Sequence, residues 1–174
     1  TTVLMRYTLR LLTMQQFERA SRLILACEKL RREQPDKLGS IPIDIGLWVG
    51  SSTTPNKISD AREGGARGVR QLARCPACGD EKSLRWDVKP ETPDFIVACE
   101  NTNCEMAGEL PVYTIDEMVY RKRPSLVIGT VDKFAQIVRN AQTGALFGSL
   151  GELPPPELII QDELHLISAP LGSI

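Results

Sequence analysis

The chain has 174 residues, of which 42 % are apolar, with a formal net charge of −1 and a single histidine. That composition suits one ordinary domain with a small insert, and a near-neutral balance excludes an overall basic field, so any nucleic-acid binding must come from a local site. No apolar run approaches the roughly 18 residues a membrane span needs, and no signal-peptide pattern is present, so a cytoplasmic protein without membrane contact is expected.

The chain opens TTVLMRY, without an initiator methionine and already of strand character, which leads us to expect a fragment. Val3 to Thr8 is a short β-leaning run. Phe17, Ala20, Ile24, Cys27 and Leu30 then recur at helical spacing, predicting an amphipathic helix over 14–33 with a capping-box start at Thr13 and Gln16 and a stop at Pro35. Residues 1–34 hold seven Lys/Arg against three Glu, either a solvated helix face or a phosphate-facing one. Ile43 to Gly50 is a second strand, SSTTPN a loop, and 56–73 a helix weakened by Gly64, Gly65 and Gly68.

From Arg74 to Gly108 the texture changes to cysteines, prolines and short strand-like pieces, SLRWDV and DFIVAC. Cys75 and Cys78 stand in a C-x2-C pair, and Cys99 and Cys104 in a C-x4-C pair twenty residues on. Such pairs form tight knuckles that bring four sulfurs to one tetrahedral ion, so a zinc ribbon is expected, structural because four thiolates leave no open position. Disulfides are the competing reading, disfavoured without a secretory signal. Cys27 reads as core. Zinc ribbons bind nucleic acid, bind protein or staple a loop, and Arg74, Lys82, Arg85 and Trp86 are too few to choose.

PVYTID and SLVIGT return to strand character, the latter leading into a helical stripe of Val131, Phe134, Ile137 and Val138. After a Pro-rich loop, ELIIQD is another buried-type strand. Continuous apolar strands alternating with helices predict an α/β fold with a mostly parallel sheet covered on both faces. The last strand ends in Asp162 and Glu163, two carboxylates at the carboxyl edge where such sheets bind ligands, followed by His165. Read alone, the pair is as well explained by favourable charge at a helix N-terminus.

LIIQDELH resembles motif II of superfamily 2 helicases, the DExH box, with Asp162, Glu163 and His165 in its three defining places. TLRLLTMQQ resembles motif Ia, with Arg10, Leu12 and Gln15 on the R, L and Q of the PTRELxxQ pattern, and GTVDKF resembles motif Ib, with Thr130 and Lys133 at the ends of its TPGR-like tetrad. The motifs occur in order over nearly the whole chain. Together with DELHLISAPLG, TVDKFA and the cysteine insert, they are most similar to the large helicase of bacterial DISARM phage-defence systems.

The resemblance implies a first RecA-like domain, with residues 1–73 and 109–174 as its two parts and 74–108 as the zinc-ribbon insertion. It further implies ATP and Mg²⁺ as cofactors beside Zn²⁺, and nucleic acid, DNA foremost, as the track, with other defence-system subunits as partners. Asp162 would hold Mg²⁺, Glu163 would activate water and His165 would relay nucleotide state to a second domain. Arg10, Gln15, Thr130 and Lys133 would hold the phosphate backbone. The sequence departs from the family's pattern in having no G-x-x-x-x-G-K-[ST]: GSSTTPNK lacks the second Gly and the Lys-Ser/Thr. ISAPLG is not a SAT-type motif III. The piece by itself is therefore not expected to hydrolyse ATP. Two rival readings stand beside the motor: a zinc-ribbon binding module on a non-catalytic α/β scaffold, and a metal-dependent nuclease or phosphatase, which a lone histidine makes poor.

Overall fold

The computed structural model describes residues 1–63, 68–89, 92, 94–149 and 154–164. In chain order, β1 (Val3–Tyr7) leads into α1 (Arg10–Glu33) and the single turn α2 (Pro35–Leu38), followed by β2 (Ile45–Trp48) and α3 (Ile58–Glu63). The cysteine segment supplies β3 (Leu84–Val88), β4 (Phe95–Cys99) and β5 (Gly108–Leu110). The chain returns through β6 (Val112–Tyr113), α4 (Asp116–Lys122), β7 (Leu126–Thr130), α5 (Val131–Ala135), α6 (Gly144–Phe147) and β8 (Leu158–Gln161).

Five strands form one sheet in the order β6-β2-β7-β1-β8, and every described pairing in it is parallel. The register sets Tyr7 opposite Thr130, Arg6 opposite Gln161 and Trp48 opposite Gly129, so the strand ends line up along one carboxyl rim. Both faces of the inner strands β2, β7 and β1 are covered, as the continuous apolar runs predict. On one face Tyr7, Ile45, Leu47 and Ile128 pack with Phe17 and Leu25 of α1; on the other Leu4, Trp48 and Val127 pack with Val119 of α4 and Leu146 of α6. Gly129 allows that second face to close: a Cβ there would stand 3.0 Å from the Trp48 carbonyl oxygen and 3.2 Å from its ring.

The small antiparallel sheet β3-β4-β5 does not have a core of its own. Cys75, Val97, Cys99, Cys104, Met106 and Leu110 belong to the same apolar cluster as Phe17, Leu25 and Ile45. Its third strand runs two residues past Gly108, to Leu110. Among the described residues no helix is long and apolar enough to cross a membrane.

Several local expectations are corrected. Helix α1 starts at Arg10, a turn before the anticipated capping box, and its N-cap Leu9 makes no side-chain bond; Thr13 instead donates its hydroxyl to the Leu9 carbonyl at 2.9 Å. Its buried stripe is Thr13, Phe17, Ser21, Ile24, Glu28 and Arg31, rotated from the apolar reading, and Leu30 is 50 % exposed. The polar members face inward because each has a partner: Ser21 bonds the Phe17 carbonyl at 2.8 Å, and Glu28 accepts from Arg31, Arg32 and the Ile43 N–H. Of the helix expected over 56–73, α3 covers six residues, and Gly64 and Gly65 lie outside the described residues. The helix expected through Val131 to Asn140 closes after Ala135 into a 3₁₀ turn, Ile137–Arg139. Strand β8, expected to be buried, lies at the sheet edge with Leu158, Ile159 and Ile160 at 50, 45 and 38 % exposure, because β1 is its one described neighbour.

Candidate functional site

Parallel strands deliver their following loops to one edge, where peptide dipoles and free backbone donors favour ligands. Here that edge carries Thr8 after β1, the 50–57 loop after β2, Asp116 after β6, Thr130 and Lys133 after β7, and Asp162 and Glu163 after β8. The Asp162 N–H donates to the Arg6 carbonyl at 2.9 Å, which continues the β8–β1 ladder and holds the acidic pair at the rim. Asp162 is half-buried and Glu163 exposed, so neither carboxylate is packed into the core. Asp162 Oδ1 accepts from the Glu163 N–H at 3.0 Å, and Glu163 takes φ 50°, a left-handed conformation uncommon for residues other than Gly, Asn or Asp. The turn that re-aims the chain therefore sits on the second acid. Burial pushes the Tyr7 phenol up, and the nearby Asp162 charge adds to that shift. His165 lies outside the described residues.

The other candidate residues occupy this edge in different ways. Arg10 is exposed at the start of α1, and its guanidinium bonds Ser52 of the 50–57 loop. Gln15 is exposed on α1, and Leu12 half-buried. Thr130, the last residue of β7, is buried, and its hydroxyl has no partner. Lys133, expected to face a phosphate, is instead 3 % exposed: its ammonium is engaged by the Asp116 carboxylate and lies 3.2 Å from Asn56 Oδ1. Buried hydroxyls without a protein partner recur along the rim, at Thr8, Thr53 and Thr54 as well as Thr130. Buried polar atoms are normally satisfied, so a run of them at one edge marks a surface built to meet water or a polar ligand.

Composition and periodicity did not disclose Asp116. It is 2 % exposed, and burial raises its carboxyl pKa against the pull of the Lys133 ammonium and the Tyr120 hydroxyl. The available signal was the acid pair Asp116-Glu117 beginning a short amphipathic segment; a favourable charge at a helix start explains that pattern equally well. Four of the seven cations at the start of the chain lie in ion pairs: Arg22 with Glu18, Lys29 with Glu33 and Glu105, and Arg31 and Arg32 with Glu28.

Cys75, Cys78, Cys99 and Cys104 bring their sulfurs within 4.8 Å of one another, with Cys75–Cys104 at 4.0 Å and Cys78–Cys99 at 3.8 Å. Zinc–sulfur bonds of about 2.3 Å at tetrahedral angles place sulfurs about 3.8 Å apart, so the four could hold a metal ion such as zinc. Gly79, at φ 78°, closes the first knuckle with an N–H bond to the Cys75 carbonyl at 2.8 Å. Burial pushes the Cys75 thiol up to about 12. At Cys78 burial acts the same way but is outweighed by the Asp80 N–H and the neighbouring thiols, which draw that thiol down to about 7. Asn101 Nδ2 donates to Cys78 Sγ at 3.8 Å, an outer contact of the kind that orients metal-bound thiolates.

No family model matches the chain. Among curated proteins it is similar to the DISARM protein DrmA of Bacillus paralicheniformis, 36 % identical over 99 % of this chain. The chain spans 20 % of that relative's length. The match supports a DISARM-related chain.

Proposed function

We propose that this chain is the first RecA-like part of a DExH-type nucleic-acid motor acting in phage defence, with DNA as the track and other defence subunits as partners. The observation that carries the proposal is the delivery of Asp162, half-buried, and Glu163, exposed, to the same carboxyl rim that bears Thr130 and Arg10. The similarity to a DISARM protein supports the same reading.

In the intact protein the Asp162 carboxylate, one oxygen of which accepts from the Glu163 N–H, would hold Mg²⁺, which would neutralise the phosphates of bound ATP. Glu163 is exposed beside it and is assigned to orient and deprotonate the attacking water. His165 is assigned the relay of nucleotide state. Arg10, Gln15 and Thr130 are assigned to the phosphate backbone, which positions a strand without reading its sequence. Lys133 acts at one remove, by holding Asp116 and the Asn56 loop in place.

The metal cluster is assigned a structural role, a zinc ribbon that locks the insert to α1. Residues 74–108 hold four Lys/Arg against seven Asp/Glu, and Arg74, Arg85 and Lys89 are paired with Glu81, with Asp87 and Glu100, and with Glu109. Such a surface offers a nucleic-acid backbone little counter-charge. The experiment is Glu163→Gln in the intact protein: ATP turnover is expected to fall to background while nucleotide binding persists. Near-normal turnover would refute the assignment.

A further inference from the structure

Between the 50–57 loop, α4 and the turns that follow α5 lies a cleft of about 370 Å³ lined by the carboxamides of Asn56, Gln136, Asn140 and Gln142, by Tyr120, and by the opposed charges of Lys57 and Lys133 and of Asp116 and Glu117. Each of the four carboxamides carries a donor and an acceptor on one edge. Asp116 Oδ2 is engaged by Lys133 and by the Tyr120 hydroxyl at 3.4 Å, whereas Oδ1 is buried with no partner among the described residues. A buried carboxylate oxygen in this state requires a donor.

The charges narrow the ligand. Lys57 and Lys133 offset Asp116 and Glu117, so the lining is neutral overall and offers net attraction neither to a divalent cation nor to a phosphate. A neutral ligand with a flat edge of alternating donors and acceptors remains, and a nucleobase is that ligand: carboxamides pair with base edges, and carboxylates accept from exocyclic amino groups. The cleft adjoins Thr130 through Lys133, so a base turned out of a strand lying along the rim reaches it without leaving the backbone.

We infer that this cleft receives one unstacked base of the bound strand and favours a base bearing an amino group, through Asp116 Oδ1. The inference rests on the nucleic-acid reading proposed above. The intact protein is titrated by fluorescence anisotropy with single-stranded oligo-dC and oligo-dT of equal length, each over a salt series, above neutral pH. Oligo-dC is expected to bind about tenfold more tightly, the size of a hydrogen bond to a charged partner, with the same salt slope as oligo-dT. Oligomers of N4,N4-dimethyl-dC, which lacks the amino protons, should fall to the oligo-dT level. Replacing the exposed Gln136 and Gln142 by Ala avoids disturbing the buried pair, and should narrow the ratio while leaving the salt slope unchanged. Equal affinity for the two oligomers, with salt-dependent strand binding retained, overturns the base site and leaves the motor standing; it would point instead to a peptide guanidinium at Asp116. Absence of salt-dependent binding to either oligomer overturns the nucleic-acid reading itself, and the base site with it.

Discussion

The Lys133 ammonium, one turn into the helix that follows β7, is buried against the carboxylate of Asp116, the first residue of the helix that follows β6. Their side chains are 4 and 3 % exposed, and the pair ties together the loops that follow β6 and β7, the two neighbours of β2. Removing either partner leaves an uncompensated buried charge. Lys133→Met and Asp116→Asn should each destabilise by about 3–5 kcal/mol, whereas the double variant should recover much of that loss. A urea-unfolding double-mutant cycle measures the coupling, and strictly additive losses would show that the pair does not act as a unit.

Glu28 is another buried charge, 1 % exposed on α1. Burial alone would raise its pKa, but the Arg31 guanidinium, the Ile43 N–H and Arg32 outweigh it and hold the carboxyl down to about 2. A depressed folded-state pKa contributes stability that is complete above the unfolded value near 4.5 and is lost as pH falls toward 2. The contribution is on the order of 3 kcal/mol. Unfolding free energy should therefore drop between those two pH values, and Glu28→Gln, less stable at neutral pH, should flatten that limb of the curve.

Metal removal should act beyond the insert. Because Cys75, Cys99 and Cys104 share a cluster with Phe17 and Leu25, stripping the ion with a strong chelator is expected to loosen α1 as well as the ribbon. Elemental analysis should return one zinc per chain, and Cys99→Ser should bind less. Hydrogen exchange reads the outcome: protection lost in β3–β5 alone, with α1 unchanged, would make the ribbon an independent unit.

Arg10 and Thr130 are assigned to the strand's phosphates, and Lys133 is not in direct contact. Arg10→Ala should lower the magnitude of the salt slope of nucleic-acid binding by about 1, while Thr130→Val should weaken binding without changing that slope. Anisotropy titrations over a salt series separate the two, since only the first removes a cation. An unchanged slope in Arg10→Ala would remove that residue from the interface.

Some of this was written in local pattern. The runs at Val3–Tyr7, Ile45–Trp48 and Leu126–Thr130 announce buried parallel strands because a strand covered on both faces has no polar side to show, and the paired cysteine spacings announce a cluster of four thiols that could hold a metal because knuckle geometry is local. The same locality hid the inner stripe of α1, where Thr13, Ser21, Glu28 and Arg31 look like solvent-facing residues until their partners are seen. It hid the acceptance of Asp116 and Lys133 into the interior, since a charge is tolerated there only when a partner seventeen residues away arrives from another strand's loop. Chain order alone thus determined which apolar strands this protein has and which cysteines come in pairs; tertiary structure alone decided which charges lie inside, because the cost of burying a charge depends on neighbours that folding, and not sequence proximity, supplies.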